Sequence, residues 1–314
     1  MILEIYGIRF PGIGINFPEF AKALKLPGIS IPYMVIAVVI GIIAGYAFTI
    51  YEARRTWQDM SVYVNGTALI IIFSIIGGRI FDVIVNWSDY RSSPINVLNI
   101  NKGGMNIVGA LTFAIVVCIV VAYNKKTSAT RIMDTLCCGT MIGQLIIYIG
   151  SFFTRNAYGT YSNGKFAMQI PLLDTSGIMN QKIQDNIVKY HGTAYIQVHP
   201  VCIYKFLIVL LLLVFVLLLR KRKKFDGEIV AWCLLGQTVM KFIVDGAMYG
   251  RMILFWKVSF AQIMWLICAI VIICVIFVKR HKVAKQMESD DKKDGFAGRV
   301  VSRFLNSADD DNDE

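Results

Sequence analysis

IGQLIIYIGSFFTRNAYG, residues Ile142 to Gly159, is an apolar run that ends in a polar mouth. Gly143, Gly150 and Ser151 are small enough to let a second helix come close. Thr154-Arg155-Asn156 follows, before Tyr158-Gly159. Polar groups at the mouth of an apolar helix need partners or a ligand. The stretch reads as the wall of a site inside a membrane.

Composition agrees. Of 314 residues, 56% are hydrophobic and 17% charged, and the mean hydropathy is +0.59. Soluble domains are about a quarter charged, so the chain reads as an integral membrane protein. The net charge of +11 is unevenly spread: nine acidic and four basic residues follow Lys285 and leave the body before them at +16. A basic membrane body suits anionic lipid headgroups. Nucleic acid is not an expected partner, because the basic residues are dispersed among apolar spans. The seven cysteines lie in or beside apolar runs, as small packing residues. No metal or cofactor is expected, since the three histidines and these cysteines do not make a ligand set. No signal peptide is expected at the start, nor a small-residue-then-Cys processing site.

Seven spans are expected, at 32–51, 65–85, 105–123, 133–153, 200–219, 228–246 and 258–278. Each odd-numbered span runs into positive charge: Arg54-Arg55, then Lys125, Lys126 and Arg131, then the Arg220–Lys224 run, then Lys279 to Lys285. That bias places the N-terminus outside and the C-terminus in the cytoplasm. The expected architecture is an all-α integral membrane protein of seven transmembrane helices, with a small outward-facing cap from the 154–199 segment. Residues 1–31 are expected as a surface-lying arm, 32–285 as the membrane domain, and 286–314 as an acidic, disordered tail. There is no internal repeat of the kind many transporters carry.

Charges within spans are costly and therefore informative. Arg79 and Asp82 lie three apart on one helical face, either as a self-neutralised pair or with Arg79 as a phosphate ligand. Asp134 opens the fourth span as a helix cap or as the partner of a cation. Lys241 and Asp245 lie four apart on the sixth, near the outer half of the membrane. His199, followed by Pro200, stands at the mouth of the fifth; His191 is the other histidine on that side. Gly103 and Gly104 enter the third span, where glycine permits either tight packing or close approach of backbone to a ligand.

Taken together, these segments resemble the prolipoprotein diacylglyceryl transferase family, in order from about Ile31 to Val271. IPYMVIAVVIGIIAGY resembles its first span, with Tyr33 as the family tyrosine, and IIGGRIFDVIVNW its second. KGGMNIVGAL resembles the third-span glycine motif and IGQLIIYIGSFFTRNAYG the signature helix. VHPVCIY, MKFIVDG and SFAQI are similar to the later motifs. The resemblance implies a multi-pass enzyme of the bacterial plasma membrane. It would move the diacylglyceryl group of phosphatidylglycerol onto the lipobox cysteine of a prolipoprotein as a thioether. Its partners would be phosphatidylglycerol, prolipoprotein lipobox peptides and membrane lipids.

On that pattern the catalytic candidates are His199, Lys241, Asp245 and Tyr33. Arg79, Lys241, Gly103, Gly104, Asn156 and Gly159 would bind phospholipid, while Asp134, Ser151 and Tyr148 are structural polar positions. Asp245 would orient Lys241, and Asp134 would line the site. Arg155, two turns beyond Tyr148, could meet a headgroup at the surface. The chain departs from the family where Val108 replaces a histidine and where Tyr148, Ser151 and Asn156 replace arginine, asparagine and glutamate. Lys241 and Asp245 stand for arginine and glutamate. Valine has no hydrogen-bonding group, and tyrosine has no guanidinium fork. The alternative is a catalytically silent member that binds phosphatidylglycerol or prolipoprotein; a small-solute carrier is a third reading.

Overall fold

The structure, a computed structural model, describes residues 6–26, 29–91, 97, 104–174, 181–190, 192–247, 253–255 and 258–310. Among the described residues seven long helices fall on the expected stretches: α1 (Tyr33–Arg55), α2 (Met60–Val85), α4 (Ile107–Asn124), α5 (Ala129–Thr154), α7 (Val201–Leu219), α8 (Glu228–Ala247) and α9 (Phe260–Asp310). Two short helices, α3 (Trp87–Arg91) and α6 (Gln181–Gln184), lie in the connections. Among the described residues six of the long helices are long and apolar enough to cross a membrane. The exception is α8, which carries Glu228, Lys241 and Asp245.

The termini of the long helices follow from sequence. Asp59 accepts from the Ser61 N–H at 2.9 Å and starts α2, while Asn106 accepts from Val108 N–H at 2.9 Å and starts α4. At the end of α5, Arg155 takes the left-handed conformation (φ 57°) and returns its N–H to the Phe152 carbonyl.

Helix contact is closest between α1 and α5. A Cβ added to Gly41 would lie 2.9 Å from the Gly143 carbonyl oxygen, and one on Gly45 would lie 2.7 Å from that of Gly139. Backbone therefore faces backbone along this seam. Across α2 and α4, Gly77 and Gly109 make a similar close approach. Apolar side chains fill the remaining space in two clusters. One joins α5, α7 and α8 through Met141, Val209 and Met240; the other joins α1, α2, α4 and α5 through Ala53, Tyr63, Cys118 and Ile132.

The expectation of an all-α protein is corrected by the cap, which is a sheet. Strands β1 (Tyr6–Phe10), β2 (Ile15–Pro18), β5 (Met168–Pro171), β6 (Val188–Tyr190) and β7 (Thr193–Val198) make one antiparallel sheet in the order β2-β1-β5-β7-β6. β3 (Ala23–Leu26) pairs with β4 (Ile29–Pro32), and β8 (Ile253–Phe255) with β9 (Val258–Ser259). Within the stretch expected as an N-terminal arm, the described residues pair as strands, β1 with β2 and β3 with β4. Pairing with β5 satisfies the backbone groups that an isolated arm would leave to water. Ile8, Met168, Ile170, Ile196 and Val198 form the buried face, against Phe152 of α5 and Ile203 of α7. Facing residues Arg9, Gln169 and Gln197 line up across three strands. Arg9 donates to Gln169 Oε1 at 3.2 Å, and Gln169 Nε2 to Gln197 Oε1 at 2.9 Å.

Within the stretch expected as a tail, α9 runs as helix through Asp310, past the apolar run that ends at Val278. The Lys, Gln, Met, Glu and Ala residues after Val278 favour helix. Residues 311–314 lie outside the described residues.

Gly143→Leu should push a side chain onto the Gly41 backbone, which cannot step aside. We expect a loss of about 1–3 kcal/mol, read as a lower unfolding temperature in detergent. Gly164→Ala, whose Cβ would meet only Ser162 Oγ at 3.5 Å, should leave that temperature unchanged.

Candidate active site

The mouth of α5 is tied to the start of α7 by two backbone hydrogen bonds. Gly159 N–H donates to the His199 carbonyl at 2.9 Å, and His199 N–H donates to the Thr160 carbonyl at 3.0 Å. This pairing brings the end of the quoted stretch beside the His-Pro motif. Pro200, whose missing N–H costs nothing at a helix start, sits just before α7. The His199 ring is half-buried, with Nδ1 3.2 Å from the Tyr204 hydroxyl one turn into α7. Burial lowers its pKa from the ordinary 6.5, so the ring is neutral at pH 7 and can accept a proton.

Ser151, buried on the last turn of α5, directs its hydroxyl at Met34 Sδ, 3.6 Å away. Tyr33, the residue before Met34, starts α1 at the same end of the bundle, partly exposed. Tyr148 lies one turn deeper and packs against the α5–α7–α8 core. Asn156 is exposed beyond the helix end, its N–H bonded to the Ser151 carbonyl at 3.2 Å.

Two glutamines complete this wall. Gln237 Nε2 of α8 donates to Gln144 Oε1 of α5 at 2.7 Å. Gln144 and Tyr148 are four apart on α5, as are Gln237 and Lys241 on α8, so the amide pair sets Tyr148 and Lys241 on the adjoining turns of facing helices. Sequence reading passed over both glutamines. Their polarity inside apolar runs was the available signal, since an amide in a membrane helix seeks a partner on another helix.

Lys241 is half-buried and forms no ion pair among the described residues. The expected support from Asp245 is not what forms. Asp245 is buried and accepts from the Trp265 indole N–H of α9 at 2.8 Å, and no ion pair joins it to Lys241. A carboxylate one turn away on the same helix reaches the aromatic donor across the helix interface instead. Among the described residues no carboxylate pairs with the Lys241 ammonium.

Arg79 is engaged with backbone. Its Nε donates to the Val97 carbonyl at 2.9 Å and its Nη1 to the Gly104 carbonyl at 2.7 Å, with Asp82 3.9 Å away. Asp82 itself accepts from the Tyr90 hydroxyl at 2.6 Å and from Asn86 at 3.0 Å. Gly104 has φ +83°, and a Cβ there would lie 2.7 Å from the Tyr90 hydroxyl; glycine is required by conformation and by space. Gly103 and His191 lie outside the described residues. Val108 is exposed at the first turn of α4.

Two expected site residues sit elsewhere. Asp134 is buried near the start of α5, where it accepts from Lys223 Nζ at 3.0 Å and from the N–H groups of Gly227 and Val230 at 2.8 and 2.9 Å. It caps the start of α8, and Tyr148 lies 14 residues further along α5, about 21 Å at 1.5 Å per residue. Arg155 is buried beneath the cap, donating to the Phe20 carbonyl at 3.1 Å, in the connection between β2 and β3, rather than standing at the surface to meet a headgroup.

The family profile described as Prolipoprotein diacylglyceryl transferase matches residues 21–278. The chain belongs to the prolipoprotein diacylglyceryl transferase family. Three relatives, each named phosphatidylglycerol–prolipoprotein diacylglyceryl transferase, show how far the likeness extends. The Lysinibacillus sphaericus protein is 28% identical over 271 residues, 86% of this chain and 96% of the relative. The Listeria monocytogenes protein is 25% identical over 281 residues, covering 90% and 96%. The Finegoldia magna protein is 25% identical over 228 residues, covering 71% and 82%. Family membership thus spans the site and the bundle together, and the chain is a multi-pass membrane protein of a transferase family.

Breaking one glutamine of the Gln144–Gln237 pair should leave the other amide unsatisfied. Gln237→Leu is expected to destabilise the protein by about 1–3 kcal/mol, and the Gln144→Leu/Gln237→Leu double variant by less than either single change. Unfolding temperatures of the four proteins in one detergent check the order.

Proposed function

We propose that this chain transfers the diacylglyceryl group of phosphatidylglycerol to the lipobox cysteine of prolipoproteins, in the bacterial plasma membrane. In this reading α8 is a seventh span, the cap faces outward and the C-terminus lies in the cytoplasm. Membership of the family and the names of the relatives support the activity. The observation that carries the reading is the backbone pairing of Gly159 with His199. It sets a neutral imidazole beside the mouth of α5, within the part of the bundle that also holds Tyr33 and Ser151.

The chemistry assigns the roles. The cysteine sulfur attacks the glyceryl carbon that bears phosphate. The carbon–oxygen bond breaks, a carbon–sulfur bond forms, and glycerol phosphate leaves. The nucleophile is a thiolate, so a base must take the thiol proton, and neutral His199 has that capacity. The leaving phosphate needs positive charge, and Lys241 offers an ammonium that no described carboxylate neutralises. Asp245 holds α8 to α9 through Trp265, which positions the helix bearing Lys241. Arg79 and Gly104 shape the approach to α4, where Arg79 donates to the Val97 and Gly104 carbonyls. Asn156 and Gly159 stand at the entrance for lipid, while Tyr148 and Ser151 close the wall.

In a bacterium depleted of its own transferase, expression of the chain should restore growth and place labelled diacylglycerol on lipobox cysteines. Lys241→Ala should lower labelling at least about 10²-fold. Good membrane expression and phosphatidylglycerol binding without labelling would instead establish the binding-only alternative. Because His199 must be neutral and its pKa is depressed, the rate should hold from neutral pH down to about 6.5 and fall only on the acid side; His199→Ala should remove that limb.

A further inference from the structure

The end of the bundle away from the cap holds a cavity of about 640 Å³, within the usual size range for ligand pockets. It lies among the α1–α2 turn, the α4–α5 turn and the segment joining α7 to α8. Six cations line it, Arg55, Lys125, Lys126, Arg131, Arg220 and Lys223, against four acids.

The four acids are already engaged. Glu52 binds Arg55 at 2.7 Å and also Arg220. Asp134 binds Lys223 and caps α8, and Asp59 caps α2. Asp226 pairs with Lys223 at 2.8 Å and with Arg131 at 3.1 Å. Burial alone would raise the Asp226 pKa, but those two cations outweigh it and hold the carboxyl below its ordinary range; it stays charged and paired at neutral pH.

Positive charge therefore remains on the α4–α5 turn. Lys125 donates only to the neutral Ser61 hydroxyl at 3.1 Å, and Lys126 has no partner among the described residues. Arg131 meets Asp226 through Nε and leaves about half of its side chain exposed. The lining residues Trp57 and Lys126 hold left-handed backbone, φ 53° and 50°, a strained conformation for such side chains. Trp57, a lining residue, is 96% exposed, and Tyr123, near the end of α4 and two residues before Lys125, is 84% exposed. Exposed Trp and Tyr at the ends of apolar helices mark the headgroup level of a bilayer, and basic pockets between helices at that level suit phosphate.

We propose that this cavity binds a phosphate-bearing anion, held by Lys125, Lys126 and Arg131 with Trp57 at the mouth, at the opposite end of α5 from the transfer site. The anion is the headgroup of an acidic phospholipid in the adjoining leaflet or a free phosphate compound, since the same contacts serve both. The inference stands on this cavity and not on the transfer chemistry, so either can fail alone.

The test uses the full chain, wild type, Lys125→Gln/Lys126→Gln, Lys126→Gln and, as a control, Arg54→Gln; Arg54 is exposed nearby but does not line the cavity. Native mass spectrometry from vesicles of phosphatidylglycerol mixed with phosphatidylcholine counts retained acidic lipid, and equilibrium binding of inorganic phosphate supplies the second arm. For a lipid headgroup, the double variant should retain one acidic lipid fewer than wild type, Lys126→Gln should retain it less often, and Arg54→Gln should match wild type. For a free phosphate compound, lipid counts should be equal while inorganic phosphate binds about tenfold more weakly to the double variant. Equal lipid counts with equal phosphate affinity would overturn the proposal. So would an Arg54→Gln protein that loses as much as the double variant, because general surface charge would then account for the binding.

Discussion

Gly41 and Gly45 of α1 lie against Gly143 and Gly139 of α5, with the carbonyl of one helix at the position where the other would carry a Cβ. Within a membrane there is no hydrophobic drive to bring helices together, so contact distance and interhelical hydrogen bonds decide the pairing. Only glycine lets two backbones come this near. The seam fixes α5 against the first helix of the bundle, and the rest of the molecule is arranged from the two ends of α5.

At one end, Asp134 uses its carboxylate to start α8 and pairs with Lys223, within a set of six cations and four acids. At the other, α5 stops at a left-handed Arg155 and the chain turns under the cap sheet to meet His199. Between them the Gln144–Gln237 bond fixes α8 against α5. A change at the helix seam would thus disturb both ends, although neither end touches the other. The cap adds a second constraint: β1 pairs with β5 and Phe20 receives Arg155, so residues before the first span help to hold the mouth of α5.

Much of the bundle was legible in the sequence. Runs of apolar residues near twenty long specify membrane helices almost by length alone, and each expected stretch is a helix. The cap sheet was not legible, because β1 pairs with a strand some 160 residues away, and short alternating segments do not announce distant partners. The site was legible in its motifs and not in its partnerships. The Lys241 to Asp245 spacing suggested an ion pair, but Trp265, on a different helix, takes the carboxylate. The Arg79 to Asp82 spacing likewise hid the two carbonyls that occupy the guanidinium. Helical spacing shows which side chains share a face; it does not show what another helix brings to that face.

The central claim is that the chain transfers the diacylglyceryl group with His199 as the base and Lys241 at the leaving phosphate. The most direct measurement mixes the purified chain, phosphatidylglycerol and a synthetic lipobox peptide in nanodiscs and follows the peptide by mass spectrometry. The account predicts a diacylglyceryl thioether on the peptide cysteine, with glycerol phosphate released in equal amount. A folded chain that binds both substrates yet leaves the peptide mass unchanged would contradict it.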